Sequence, residues 1–95
     1  MNQKIIIDKL KFIKPQLKEK YRVTELALFG SYSRNEQTPE SDIDIRVGTD
    51  RPHGFSFLNI IYELQSLFNQ EVQVVSKGAI KPKYFAAIKD DLIYA

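Results

Sequence analysis

No cysteine occurs in the 95 residues, which excludes disulfides, thiol nucleophiles and zinc–thiolate sites and suits a reducing compartment. No long unbroken apolar run occurs either. The first apolar residues are interrupted by Lys4, Asp8, Lys9 and Lys11, a pattern that fits neither a signal peptide nor a membrane span, so a cytoplasmic location is expected. There is one histidine, His53, in a turn-rich stretch from Gly48 to Gly54, where a surface position is expected rather than a ligating or catalytic one. Internal repeats and low-complexity tracts are absent. A net charge of +2 is too small to argue for nucleic acid. Its distribution is uneven, with seven basic and two acidic groups in residues 1–22. A solvated helix face accounts for that basic portion better than a nucleic-acid contact does.

What remains is an ordinary globular composition, 43% hydrophobic and 27% charged. The length implies one domain over residues 1–95 with a single modest core. Residues 3 to about 20 read as helix, because Ile6, Leu10, Ile13 and Leu17 form one apolar stripe. Pro15 interrupts it, and a kink or two short helices are expected. A strand over Glu25 to Phe29, supported by Val23 and Thr24, precedes a short helical piece around Tyr32 to Asn35 and a loop from Gln37 to Ser41 containing Pro39. Phe55 to Phe68 reads as a second helix whose apolar face runs through Leu58, Ile61, Leu64 or Gln65, and Phe68, widened by Phe57, Ile60 and Leu67. Residues 71–76 read as a strand. Pro82 opens a last helix over Lys83 to Asp91, with Tyr84, Phe85 and Ile88 facing inward. This order predicts an α/β fold in which helices pack on a small mixed sheet.

The informative stretch is Leu26 to Val47. After Ser41, carboxylates alternate with isoleucines, placing Asp42, Asp44 and Arg46 on one face of a strand and Ile43, Ile45 and Val47 on the other. Carboxylates two residues apart on a strand lie ~6–7 Å from each other. Each resists ionising beside its neighbour. Arg46 alone neutralises only one of them, whereas a hard divalent cation such as Mg²⁺ suits both. On the other side, Gly30 ends a buried strand and permits a close backbone approach. Ser31 follows with a hydroxyl and, if a helical turn starts there, exposed N–H groups that attract anions. No Gly-Lys-Ser/Thr follows, so this is not a Walker A loop.

The combination of Gly30-Ser31, ten intervening residues and Asp42-Ile43-Asp44 resembles the signature of the minimal nucleotidyltransferase family, small relatives of the polymerase-beta-type transferases. The resemblance extends over almost the whole chain. It implies the nucleotidyltransferase fold and the transfer of a nucleoside monophosphate from a nucleoside triphosphate, ATP above others, to an acceptor hydroxyl. It further implies that Gly30 and Ser31 hold the β/γ-phosphates and that Asp42 and Asp44 ligate one or two Mg²⁺ ions. Arg34 is left with two roles, reaching a phosphate or the aspartate pair, or tying its loop down through Glu36 or a backbone carbonyl. Ser41 is likewise left between orienting a carboxylate and capping the loop.

In one respect the chain departs from the family. Active relatives place a third acid on the following central strand, and that position here is Gln73. An amide offers a metal an oxygen but brings no charge and is no useful base. Glu71 shares the strand face but lies ~6–7 Å away. The chain also lacks room for the added helical domain of larger relatives, so a partner or a second copy is expected to complete the site. The resemblance implies a small helical HEPN-type protein, for which such chains act as antitoxins, some by modifying it. Two readings follow: a Mg²⁺-dependent nucleotidyltransferase acting on a protein, or a weakened subunit that binds and neutralises a helical partner.

Overall fold

The computed structural model describes residues 1–50 and 54–95, with side chains left out at 54–56; His53 lies outside the described residues. The chain runs α1 (Gln3–Tyr21), β1 (Val23–Phe29), β2 (Ile43–Thr49), α2 (Gly54–Phe68), β3 (Val72–Ser76), α3 (Pro82–Ile88), a 3-10 turn (Lys89–Asp91) and β4 (Ile93–Tyr94). The sheet order is β3-β2-β1-β4, with β2 parallel to β3 and antiparallel to β1, and β4 antiparallel to β1. Among the described residues no helix is long and apolar enough to cross a membrane.

α1 is one uninterrupted helix, not two, despite Pro15. A proline inside a helix costs ~3 kcal/mol. The predicted stripe of Ile6, Leu10, Ile13 and Leu17 is buried on both sides of it, at about 1.5–3 kcal/mol per fully buried aliphatic side chain. Burial therefore outweighs the lost hydrogen bond. The Asn2 side chain accepts from the N–H of Ile5 and caps the start. Arg22, at φ 59°, closes the end and pairs with Asp50 through two bonds of 2.7 Å.

The alternation in β2 sorts its side chains as the sequence predicts. Ile43, Ile45 and Val47 join Leu26 and Leu28 of β1 in a core roofed by α1 and by Ile60, Leu64 and Phe68 of α2. The α2 stripe is narrower than expected: Leu58 is exposed, and spacings of four through Ile60 select the buried line. The other sheet face carries Phe29, Asp44, Arg46, Gln73 and Val75, because Asp44 is registered against Phe29 and Gln73, and Arg46 against Ala27 and Val75. α3 covers part of this face through Phe85 and the buried Ile88; Tyr84, expected inward, is exposed instead. α3 ends at Ile88, short of the predicted Asp91, and tightens into the 3-10 turn. β4 is an element that the sequence pattern does not mark. Its two residues pair with Ala27 and Leu28, and a segment that short carries no periodicity to read.

Candidate active site

The site face is assembled where β1 ends. Gly30 has φ +78°, in the left-handed region that favours glycine. A Cβ built on it would collide with the Asp44 carboxylate. The missing side chain is what lets that carboxylate lie against the backbone corner. We expect Gly30→Ala to destabilise the fold by about 1–3 kcal/mol, read from urea unfolding, and to displace Asp44; an unchanged midpoint would contradict the contact.

Beyond Gly30 the predicted helical piece is a nest of turns. The Gly30 carbonyl accepts from the N–H groups of Ser33 and Arg34 and from the Ser33 hydroxyl at 2.7 Å, and the Ser31 carbonyl accepts from Glu36 at 2.9 Å. Asn35, at φ 57°, turns the chain before a helix can propagate. The N–H groups of Ser31 and Tyr32 have no backbone partner among the described residues. Tyr32 is buried in the core and anchors the loop, and Gln3 of α1 donates to the Ser33 carbonyl at 2.8 Å. Nothing in the sequence marks Gln3 for that role.

Asp42 sits just before β2 and Asp44 within it, and the Gln73 amide donates to Asp42 Oδ2 at 3.2 Å. Gln73, not Glu71, stands opposite Asp44; the exposed Glu71 uses its carbonyl to accept from the N–H of Ile43. Burial, and then the neighbouring Asp42 charge, push the Asp44 carboxyl above the ordinary aspartate value, opposed by Arg34. Arg34 itself pairs with Glu36 and Asp91, each at 2.6 Å, so it ties its loop to the 3-10 turn while its charge still acts on Asp44. The Ser41 hydroxyl accepts from the N–H of Thr38 at 2.9 Å and so caps the loop.

Arg46 does not serve the aspartates. It is 5% exposed, its guanidinium lies 4.9 Å from the centre of the Phe85 ring, and it meets the Tyr94 hydroxyl only at 3.5 Å. Its Nε has no partner, and no carboxylate pairs with it among the described residues. A buried charge without an anion is costly. We expect Arg46→Met to stabilise the fold by about 1–3 kcal/mol, measured as a raised urea midpoint with an unchanged slope; a loss of stability would mean the Phe85 stacking outweighs the desolvation.

Among the described residues no group of three or more carboxylates and imidazoles converges. Two carboxylates and an amide do, facing a glycine corner with donors on its loop. That donor set matches how Mg²⁺ is usually held, by one or two carboxylates together with substrate phosphates. Site and mixed sheet together fit an α/β protein of the nucleotidyltransferase class.

The comparisons agree with this assignment. The chain belongs to the nucleotidyltransferase domain family, whose model matches residues 10–95. A Methanocaldococcus jannaschii protein provisionally named protein adenylyltransferase is 47% identical over 91 residues, covering 94% of this chain and 93% of that one. Protein adenylyltransferase MntA of Thermococcus cleftensis is 30% identical over 82 residues, covering 85% of this chain and 83% of that one. In fold, the chain superposes on a solved structure described as a minimal nucleotidyltransferase with a TM-score of 0.81 at 19% identity, over 98% of this chain and 95% of the other. It also matches, with a TM-score of 0.66 and 20% identity, a chain from a complex of a tri-AMPylated Shewanella oneidensis HEPN toxin with its MNT antitoxin, over 97% of this chain and 70% of that one.

Proposed function

We propose that this nucleotidyltransferase moves AMP from ATP to a hydroxyl of a helical HEPN-type protein, with Asp42 and Asp44 holding Mg²⁺. The observation that carries the reading is the seating of the Asp44 carboxylate against the Gly30 corner, opposite Gln73. When bound, Mg²⁺ would neutralise triphosphate charge and draw electron density from the reacting phosphorus. The chain's own contribution is placement. Gly30 leaves the backbone open to a phosphate, and the Ser31 hydroxyl with the N–H groups of Ser31 and Tyr32 supplies donors there. Asp44, already partly desolvated, gains most from a cation. The acceptor oxygen bonds to the α-phosphorus as pyrophosphate leaves, and its proton passes to solvent, because Gln73 cannot take it.

Support for a protein acceptor comes from relatives named protein adenylyltransferases and from the AMPylated toxin in a structural neighbour's complex. The amide at position 73 favours a second reading: a slow or inactive enzyme whose remaining task is to bind and neutralise its partner. The test separates the two. Radiolabelled ATP with Mg²⁺ and the HEPN-type product of a neighbouring gene should yield a labelled partner. If the folded protein binds and neutralises that partner without any label transfer, the second reading replaces the first.

A further inference from the structure

α3 is barely attached to the rest of the molecule. Only Ile88 is buried and Phe85 half-buried, while Pro82, Lys83, Tyr84, Ala86 and Ala87 are exposed. Tyr84, with Lys81 just before the helix, forms one wall of an open groove of about 500 Å³, whose other walls are Phe57 of α2, Val74 and Val75 of β3, and Ala79 and Ile80 of the connecting loop. A second hollow of about 390 Å³ lies along Lys83 and Ala87 and shares Lys81 and Tyr84 with the first. Lys81 and Tyr84 border both hollows, and apolar surface dominates each. Two lysines line these hollows: Lys81 and Lys83 are exposed and pair with no carboxylate among the described residues. Lys77 is held by Glu25 at 2.6 Å, and Asp90 is the exposed acid nearby.

We infer that this groove docks an amphipathic helix of a protein partner, its apolar face seated along Tyr84 and Ala87 and its flanks carrying glutamates or aspartates. The two apolar hollows on either side of Tyr84 suit two apolar anchors of one helix face. The two lysines set the charge. A second copy of this chain, packed by two-fold symmetry, would bring the same lysines against each other, and that repulsion opposes self-association here. A phosphate-rich ligand would leave the apolar floor unused. The inference rests on the transfer activity proposed above, and adds where the partner lies. Phe85 stacks on Arg46 beside Asp44, and Asp91 grips Arg34 of the loop that follows Gly30. α3 is therefore tied to the nucleotide corner by its inner contacts, and a helix held in the groove bears on the element that closes that corner.

The test uses two synthetic amphipathic helices with identical leucine and phenylalanine faces, one flanked by glutamate and the other by lysine. Fluorescence anisotropy should show the acidic helix binding in a salt-sensitive way and the basic one at least about tenfold more weakly. The Lys81→Glu, Lys83→Glu double variant should reverse that preference, which a misfolded protein could not do, and Tyr84→Ala should weaken the acidic helix about tenfold or more. Binding of a fluorescent ATP analogue, measured in parallel, should be unchanged in all variants. Equal affinity for both helices, or no response to the variants, overturns the inference. So does a dimer that Tyr84→Glu dissociates, which would assign the groove to a second copy. Loss of the nucleotide in the groove variants would assign it to the nucleotide site. Absence of nucleotide binding in the unaltered chain counts against the proposed function and leaves the helix result standing on its own.

Discussion

Asp44→Asn should abolish nucleotide transfer, with a loss of about 10³-fold or more, on the order of 4 kcal/mol of transition-state stabilisation. The amide keeps the shape of the side chain against Gly30, so the fold survives while the charge that holds a cation is gone. A second consequence has the opposite sign. Burial and Asp42 raise the folded-state value of Asp44 above its unfolded one. Between those two values the native chain binds more protons than the unfolded chain, so stability falls as pH rises through that window and stays lower above it. Removing the ionisable group removes the loss. The variant should therefore melt at a higher temperature than the parent at neutral pH without divalent ions, and the difference should vanish at acid pH. Added Mg²⁺ should raise the melting temperature of the parent and not that of the variant. An inactive variant that is less stable at neutral pH would point to a structural role for the carboxylate, and transfer within tenfold of the parent would place the chemistry elsewhere.

How far the sequence anticipates this arrangement varies with the kind of signal. The two-residue alternation of Asp42 to Val47 assigns faces unambiguously, because a strand offers only two, whereas the choice between Gln73 and Glu71 depends on strand register, which periodicity does not carry and the sheet pairing supplies. The α1 stripe is equally plain, yet Pro15 misleads, since a local rule cannot weigh the burial that overrides it. Residues 31–35 look helical in composition, but the bonds converging on the Gly30 carbonyl and the left-handed Asn35 close them into turns. The contacts that fix the site from a distance are illegible for another reason. Gln3 to Ser33, Arg34 to Asp91 and Arg46 under Phe85 join segments tens of residues apart, and no periodicity records such pairs. Arg46 shows the consequence: alternation places it correctly on the face of the aspartates, while its lack of a partner emerges only once α3 and β4 close over it.

Gln73→Asp should increase transfer by about 10- to 100-fold. The amide now serves as a hydrogen-bond donor. Its nitrogen donates to Asp42 at 3.2 Å, quieting one carboxylate while contributing neither charge nor basicity. A carboxylate at that register would add negative charge for a cation and give the acceptor's proton a place to go. It would also set a third acid beside two that already repel, so the metal-free variant should be less stable than the parent at neutral pH and regain that stability as the pH falls. Mg²⁺ should then raise its melting temperature by more than it raises the parent's. The longer Gln73→Glu reaches as far as the native amide and distinguishes reach from charge: if it accelerates transfer and Gln73→Asp does not, distance limits the site. A gain in cation-induced stability with no gain in rate from either variant would mean that position 73 governs metal affinity alone, and that the acceptor's proton leaves by a route independent of β3.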